Sequence, residues 1–446
     1  MSVEEGTSGN GSRLMNSGMQ ALCELADEDL LDRLQRGAFA YFSEYTNADN
    51  GLVSDTSRAG SPCSIAVVGF ALSCYPVAVE RDWMSRRAAV ALTLRTLQFF
   101  WDSEQSEQPD ATGFKGFYYH FLDMRSGRRT WQCELSLVDT ALLMAGVLTV
   151  GCYFDGVGDE ENIRHLSDAL YRRVDWDWAR HGLETVSQGW KPEYGFLHYG
   201  WEGYNEATTV YVLGAGSPTH PLPATSFSDW TLTYQWENLL GHDVLYSGPL
   251  FTHLFSHAWI DYRGIQDAFM REKRSDYFEN TKSAIAIHRE YGARNPRGYV
   301  GYDRNCWGIT AGDGPGNREL RESRRDRRFF GYMSRGVPYG PDDGTIAPWA
   351  MLATLPFGPG AALRGTRRLL KTYPEVCLND RFSSGFNATL QSQGTGWLSE
   401  GWFGLDQGLL LMMIENYRTG LIWEITRRSP IVRDGLLRVG FTGGWL

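Results

Sequence analysis

The sequence predicts an all-α fold of two concentric helix layers, with long loops and small β-hairpin insertions. Two observations predict it. Segments that are apolar all round alternate along the chain with segments apolar on one side only, and polar, aromatic-rich loops separate them. A third observation bounds the answer. With 42% hydrophobic residues among 446, the chain can bury a large core and is not a disordered one.

The elements follow in order. Residues 1–25 are rich in Gly, Ser and Glu and predict a mobile arm. Asp27–Tyr45 has the period of an amphipathic helix and stops at a polar NADNG turn. Ser64–Val79 is apolar throughout. Trp83–Asp102 is its partner, with Leu92, Leu94, Leu97 and Phe100 on one side. The stretch GFKGFYYHFLDMRSGRRT predicts a hairpin or loop insertion turning at Ser126-Gly127. Leu135–Val150 is nearly all apolar and hence central, whereas Glu160–Asp175 is amphipathic and hence peripheral. Glu206–Leu213 opens a further apolar helix, followed by loops rich in Trp, Tyr, Pro and His. Asp267–Tyr291 is helical with one polar face, and residues 293–343 are rich in Gly and Asp. Thr345–Leu355 is apolar with Leu363–Tyr373 as its partner. Gln407–Arg418 is the last apolar helix, and Leu421–Arg428 is a short amphipathic one. No repeat of fixed period and no linker interrupts this pattern, so a single domain over residues 26–446 is expected.

Charge and cysteine usage exclude several classes. A net charge of -10 argues against nucleic acid, which needs clustered Lys and Arg. The densest basic run, Arg318–Arg328, interleaves Glu319, Glu322 and Asp326 and reads as a solvated loop or helix face. The seven cysteines are odd in number and form no CxxC, which points to reduced, buried thiols. No run of about 18 apolar residues offers a membrane span. The first twenty residues lack the basic start and apolar centre of a signal peptide. The chain as written is therefore expected to be cytoplasmic, or periplasmic if a leader was trimmed. Oligomeric state is not legible.

The chemistry centres on Trp201–Pro223, WEGYNEATTVYVLGAGSPTHPLP. One carboxylate, Glu206, stands behind Trp201 and Tyr204 and in front of an apolar helix. Aromatic faces beside an isolated acid suit a neutral sugar: rings stack on C–H surfaces, and the acid protonates a glycosidic oxygen. The plainer reading is a helix-entry acid favoured by the macrodipole, with Asn205 as cap. Sixteen tryptophans reinforce the sugar reading, because Trp201, Trp307, Trp397 and Trp402 sit beside polar residues or glycine. Glu134 and Asp139 bracket the start of the central helix, about 140° apart. Asp139 lies among Leu137, Val138, Ala141 and Leu142, where a carboxylate is costly unless paired. It either joins a structural network with an arginine or binds substrate hydroxyls. Asp406 opens an apolar helix just after Trp402, as a cap or as a second catalytic acid. Glu415 and Arg418, one turn apart, read as a structural pair. Asp342 and Asp343 are loop acids before a helix, and Glu400 is a weaker candidate. His253 and His257 have metal-ligand spacing but lack the intervening Glu of a zinc-protease motif, since Leu254 stands there. They suit structure or sugar hydrogen bonding better, and no metal or cofactor is expected. GDGPG at residues 312–316 lacks a phosphate-loop ending, and no GxSxG occurs.

Several long segments together resemble the bacterial glycoamylase-like family, which is related to the endo-β-1,2-glucanases of glycoside hydrolase family 144. They are CELSLVDTALLMAG, GWKPEYGFLHYGWEGYNEA, GSPTHPLP, GPLFTHLFSHAWIDYRGIQD, DYFENTKSA, CWGITAGDGPG, DDGTIAP and LDQGLLLMMIENYRTGLIWE. The resemblance spans roughly residues 27–446, including the GFTGGWL end. It implies an (α/α)6 barrel acting on β-1,2-linked glucose chains. The family acids fall on Glu206, on Asp406, and on Glu134 and Asp139. One departure is SSGFNATL, which carries no Asp where relatives have a Gly-Phe-Asp-Ala-Phe-Asn-like segment.

The reading that follows is an inverting glycoside hydrolase. Glu206 is the general acid, Asp406 the general base, and the partner is a β-glucan oligo- or polysaccharide. Glu134, Asp139, Trp201, Tyr204, His253, His257, Trp307, Asp343 and Trp402 are expected to bind substrate. Inversion needs carboxyls about 6.5–9.5 Å apart, while the alternative, a retaining transglycosylase, needs about 5–5.5 Å. A third reading, from outside the enzymes, is a non-catalytic glucan-binding barrel.

Overall fold

The computed structural model describes residues 22–322, 325–390 and 396–446. Of the arm expected over residues 1–25, all but the last four residues lie outside the described part.

The protein is helix-rich, and its helices fall into two kinds. Ile65–Glu80, Leu137–Tyr153, Thr208–Gly216 and Gly404–Arg418 are buried along almost their whole lengths. They pack on one another: Ile65–Glu80 lies against both Leu137–Tyr153 and Gly404–Arg418, and Leu137–Tyr153 also meets Thr208–Gly216. The closest crossing needs glycine. A Cβ on Gly146 would stand 2.2 Å from the Gly69 carbonyl oxygen, and one on Gly69 would stand 2.3 Å from that of Leu142. The second kind covers the first. Asp159–Arg173 buries only Ile163, Ser167, Leu170 and Tyr171, one stripe at helical spacing. Its first turn carries Asp159, Glu160 and Glu161 and its last Arg172 and Arg173, each suited to the macrodipole. Asp27–Tyr45 covers Gly404–Arg418, Pro359–Thr372 covers Pro348–Leu352, and Pro430–Arg438 covers Thr208–Gly216.

Asp27–Tyr45 forms as expected, while several other boundaries move for local reasons. Trp83–Asp102 starts at Arg86, because Ser85 caps it by accepting from Ala88 N–H. Leu135–Val150 starts at Leu137, since Leu135–Ser136 is spent in a β-ladder. Asp267–Tyr291 divides into Ala268–Lys273 and Tyr277–Arg294. Arg274 turns left-handed at φ 53°, and Asp276 caps the second helix. The basic run 318–328 is neither loop nor helix face. Arg318–Glu322 and Arg325–Phe329 pair as an antiparallel hairpin, in which Arg327 turns inward over the Tyr299 ring. Ala224–Thr231 and Pro430–Arg438 are helices that the apolar pattern did not mark.

One sheet matters for function. Gly113–Phe114, Phe117–Tyr119, Leu135–Ser136, Gly189–Lys191 and Gly195–Phe196 form five short antiparallel strands in that spatial order. The anticipated insertion thus turns first at Lys115-Gly116 and again at Ser126-Gly127. At the second turn Leu122 bridges Arg129. Tyr119 pairs with Leu135, so His120 and Glu134 come to lie side by side, with His120 N–H donating to the Glu134 carbonyl at 3.0 Å.

Candidate active site

Three carboxyl groups collect at the N-terminal ends of fully buried helices. Asp139 is in the first turn of Leu137–Tyr153, Asp406 is in the first turn of Gly404–Arg418, and Glu206 lies two residues before Thr208–Gly216. Helix N-termini favour negative charge, yet desolvation prevails at Glu206 and Asp406.

Glu206 sits in a turn folded by Asn205, whose Oδ1 accepts from Ala207 N–H at 2.9 Å and whose Nδ2 donates to the Glu202 carbonyl. The capping amide therefore serves Ala207. Burial pushes the Glu206 carboxyl up to about 7, and the nearby Asp139 charge adds to the shift. Asp406 is 6% exposed, and its Oδ2 has no hydrogen-bond partner among the described residues. Burial raises its carboxyl well above the usual range against the neighbouring Ser384 hydroxyl, and the Asp55 and Asp313 charges raise it further. Asp55, on the loop whose carbonyl accepts from Gly404 N–H at 2.8 Å, is raised to about 6 by burial. His120 and Arg58 oppose that rise and Asp139 supports it.

Beside these acids stands a charged knot. His120 Nδ1 is 2.9 Å from Glu134 Oε1, and Nε2 is 3.5 Å from Asp139 Oδ2. Ser136 hydroxyl donates to the same Asp139 oxygen. Burial disfavours the imidazolium. Asp139 and the Glu134 hydrogen bond outweigh it and raise His120 to about 9, while the same contact holds Glu134 below its usual value. The partner of Asp139 is thus a histidine and a serine, where the sequence suggested an arginine. His120, Glu134 and Asp139 bring potential metal-ligand atoms within 4.8 Å of one another. With both ring nitrogens already facing carboxylates, the arrangement is that of an imidazolium between two anions. Asp313 accepts from Arg58 and, at 2.8 Å, from Ser399. Glu400 contributes only its carbonyl, to Arg58 Nε at 3.0 Å.

Aromatic side chains line this region. Trp201 and Tyr204 are half-buried on the segment leading to Glu206. Tyr204 is set among the rings of Tyr234, Tyr277 and His253. Trp402 lies under the Arg381 guanidinium, 4.4 Å from its ring centre, and its main chain pairs with Ser57.

Several residues expected to bind substrate lie elsewhere. Trp307 is wholly enclosed in the core and presents no face to a sugar. Asp343 is fully buried in an ion pair with Arg335, at 2.7 and 2.9 Å. Asp342 takes the hydroxyls of Tyr291 and Tyr302. His253 and His257 do not share one helix: His253 ends the turn Leu250–His253, and His257 lies in Phe255–Trp259. Burial lowers them to about 4 and about 3, so both are neutral, occupied by Ser247 and Thr281. His253 backs Tyr204 at 5.1 Å between ring centres and does not itself line the cleft. Glu415 pairs with Arg81, and Arg418 with Glu28 and Asp32, so the expected one-turn pair does not form.

Asp55, His120 and Asp313 escaped the sequence reading. His120 had a signal, a lone polar ring inside the aromatic run FYYHF; the others lie in loops with no periodic context. A cavity of about 1180 Å³ lies elsewhere, between the helices Arg86–Asp102 and Asp159–Arg173, and holds none of these carboxylates.

Comparison with known proteins gives a consistent neighbourhood. The glycoamylase family model, described as "Putative glucoamylase", matches residues 198–430. A curated relative from Parabacteroides distasonis, an exo beta-1,2-glucooligosaccharide sophorohydrolase (non-reducing end), is 28% identical over 93% of this chain. The chain spans 58% of that relative's length. A crystal structure titled a "putative glucoamylase" from Bacteroides uniformis superposes with TM-score 0.83 at 28% identity, covering 95% of this chain and 99% of that one. The endo-beta-1,2-glucanase from Chitinophaga pinensis, in complex with sophorotriose and glucose, shares the fold. Its TM-score is 0.83 at 24% identity, covering 95% of this chain and all of that one.

Proposed function

We propose that this chain, which belongs to the glycoamylase family, is a glycoside hydrolase that cleaves β-1,2-linked glucan by inversion. The observation that carries the reading is the pair Glu206 and Asp406. Both are carboxyls at the entrances of buried helices, one holding its proton up to about pH 7 and the other with a buried, unpartnered oxygen. Glu206 then serves as general acid, protonating the glycosidic oxygen, and Asp406 as general base for the attacking water. Burial that raises the Asp406 carboxyl makes it a stronger base once ionised. Asp55, Glu134, Asp139 and His120 supply charged hydrogen-bonding groups for sugar hydroxyls, and Trp201, Tyr204 and Trp402 supply ring faces. The β-1,2 linkage rests on the relatives, among them the sophorohydrolase and the endo-β-1,2-glucanase. We read the two kinds of helix as the inner and outer rings of an (α/α)6 barrel forming a single domain, with the acids at one end of the inner ring.

The test is product analysis by mass spectrometry on linear β-1,2-glucan, with β-1,3-glucan, β-1,4-glucan and starch beside it. Short oligosaccharides are expected from the β-1,2 chain alone and not from Glu206→Gln. NMR of the first product should show the α-anomer; the β-anomer would sink inversion. Near-native turnover by Glu206→Gln would remove the acid assignment. No product from any polymer would favour a glucan-binding role.

A further inference from the structure

The cavity of about 1180 Å³ between Arg86–Asp102 and Asp159–Arg173 takes no part in the acid cluster, yet its walls suit one kind of ligand. Most residues around it are exposed or half-buried, so it is a groove on the outer face of the protein. Its volume exceeds the about 300–1,000 Å³ of ordinary small-molecule sites, which leaves room for a chain of linked rings. The floor is apolar, made by Leu94, Phe99 and Leu166, all half-buried against the core. Trp101 stands in the wall and is 40% exposed.

The aromatic part of the groove is held from behind. The Arg173 guanidinium lies 5.0 Å from the centre of the Trp101 ring. Its Nη1 donates to the Trp101 carbonyl at 2.9 Å and its Nη2 to the Phe100 carbonyl at 2.7 Å. One arginine thus ties the end of each helix to the other and backs the tryptophan. Phe99 packs edge-on against Phe100, and Gly127 closes on its ring so tightly that a Cβ there would stand 2.1 Å from Phe99 Cζ. A ring fixed in this way loses little freedom when a ligand settles on it.

The polar lining carries little uncompensated charge. Asp49, Asp102 and Glu104 share the groove with Arg95 and Arg128. Arg128 pairs with Asp110 and reaches Glu104 at 3.7 Å, and Arg95 Nη1 donates to the Ala48 carbonyl. Asp102 accepts from Gln98 at 2.8 Å. Such a mixture does not concentrate cations or anions. It offers donors and acceptors to hydroxyl groups beside aromatic surface, the chemistry of a neutral sugar chain.

We propose that this groove is a second glucan-binding site, which holds part of a long chain while the acid cluster acts on another part. The inference rests on the glycosidase reading of the acid cluster and adds to it a site remote from the chemistry. The insertion that carries His120 at its base borders the groove with Ser126 and Arg128 at its turn. Six residues separate His120 from Ser126, so the two lie at most about 22 Å apart, within reach of one extended glucan.

The experiment is calorimetric titration of the Glu206→Gln protein with long linear β-1,2-glucan, alone and combined with Trp101→Ala or Ala169→Trp. Ala169 also lines the groove, and a tryptophan there fills it while leaving Trp101 and Arg173 in place. Glu206→Gln should bind glucan at two sites, and either added substitution should leave one. In the otherwise native chain, both substitutions should raise KM for long glucan on the order of threefold to tenfold with kcat nearly unchanged, the mark of lost uniform binding. Turnover of a short β-1,2-glucooligosaccharide, which cannot span both sites, should not change. Binding and long-chain KM left intact by both variants overturn the groove and leave the glycosidase reading standing. Equal losses on long and short substrates also overturn it, because they place the damage in the acid cluster. Glucan binding abolished by both variants, in a native chain that turns over no glucan, supports the groove and overturns the glycosidase reading.

Discussion

Asp343 and Asp406 look alike in the sequence, each an acid just ahead of an apolar helical run, but the structure treats them oppositely. Asp343 accepts from Arg335 twice, from Phe330 N–H and from Thr345 N–H, so its buried charge is fully compensated. Asp406 is almost as deeply buried and has an oxygen with no partner among the described residues. A buried carboxylate without partners costs stability, so a fold retains one only where something other than stability requires it. The compensated Asp343 builds a loop, and the uncompensated Asp406 stands in the first turn of a buried helix. The comparison separates scaffold from chemistry more sharply than sequence position does.

Substitution with the isosteric amide should break the comparison most visibly at Asp406. Asp406→Asn should lower turnover of β-1,2-glucan by about 10²–10⁴-fold, the usual contribution of a general base. Its melting temperature should hold or rise, because a neutral amide replaces a carboxyl that burial disfavours. A variant that keeps turnover, or loses it only together with its fold, would return Asp406 to the scaffold class.

The same change at Asp343 should do the reverse. Asp343→Asn removes the anion opposite Arg335, whose guanidinium is 1% exposed, and leaves that charge buried and unpaired. Breaking a buried pair from one side costs about 3–5 kcal/mol, read as a lower midpoint of chemical denaturation. Glu206 and Asp406 remain in place. Folded Asp343→Asn should therefore still turn over substrate, with its loss confined to stability. An unshifted midpoint would mean that the pair bears no load.

How much of this was legible depends on what fixed each position. The apolar helices were readable because their periods are local, and Asp139, Glu206 and Asp406 stood out as acids interrupting or heading apolar runs. The start of the central helix was missed by two residues because Leu135 and Ser136 answer to cross-strand partners, Tyr119 and Tyr118. The same register brings His120 to Glu134, which no periodicity contains. Asp343 was misplaced for a related reason. Whether an arginine eight residues earlier folds back on it is decided by the loop's path and not by its composition. The SSGFNATL departure is likewise tertiary in meaning: Asn387 donates to the Asp343 carbonyl at 2.9 Å, and Ser384 lies beside Asp406.

The smallest effects concern pH, and they sharpen the contrast within the cleft itself. Glu206 has a folded value of about 7 against an ordinary 4.5, so the native state holds its proton more tightly than the unfolded chain does. Its stabilising share is complete below pH 4.5 and is lost as pH rises to 7, at most about 3 kcal/mol. His120 is also raised, from 6.5 to about 9, by anions. Its share is complete below pH 6.5 and is lost between 6.5 and 9, about 1–2 kcal/mol once its partial exposure is allowed for. The two terms have one sign but different windows. Denaturation midpoints measured from pH 4 to 9 should fall across both. Glu206→Gln should flatten the fall from 4.5 to 7, and His120→Gln the fall from 6.5 to 9. Curves that stay parallel to the parent in those windows would show that neither group is held in the charge state that its surroundings dictate.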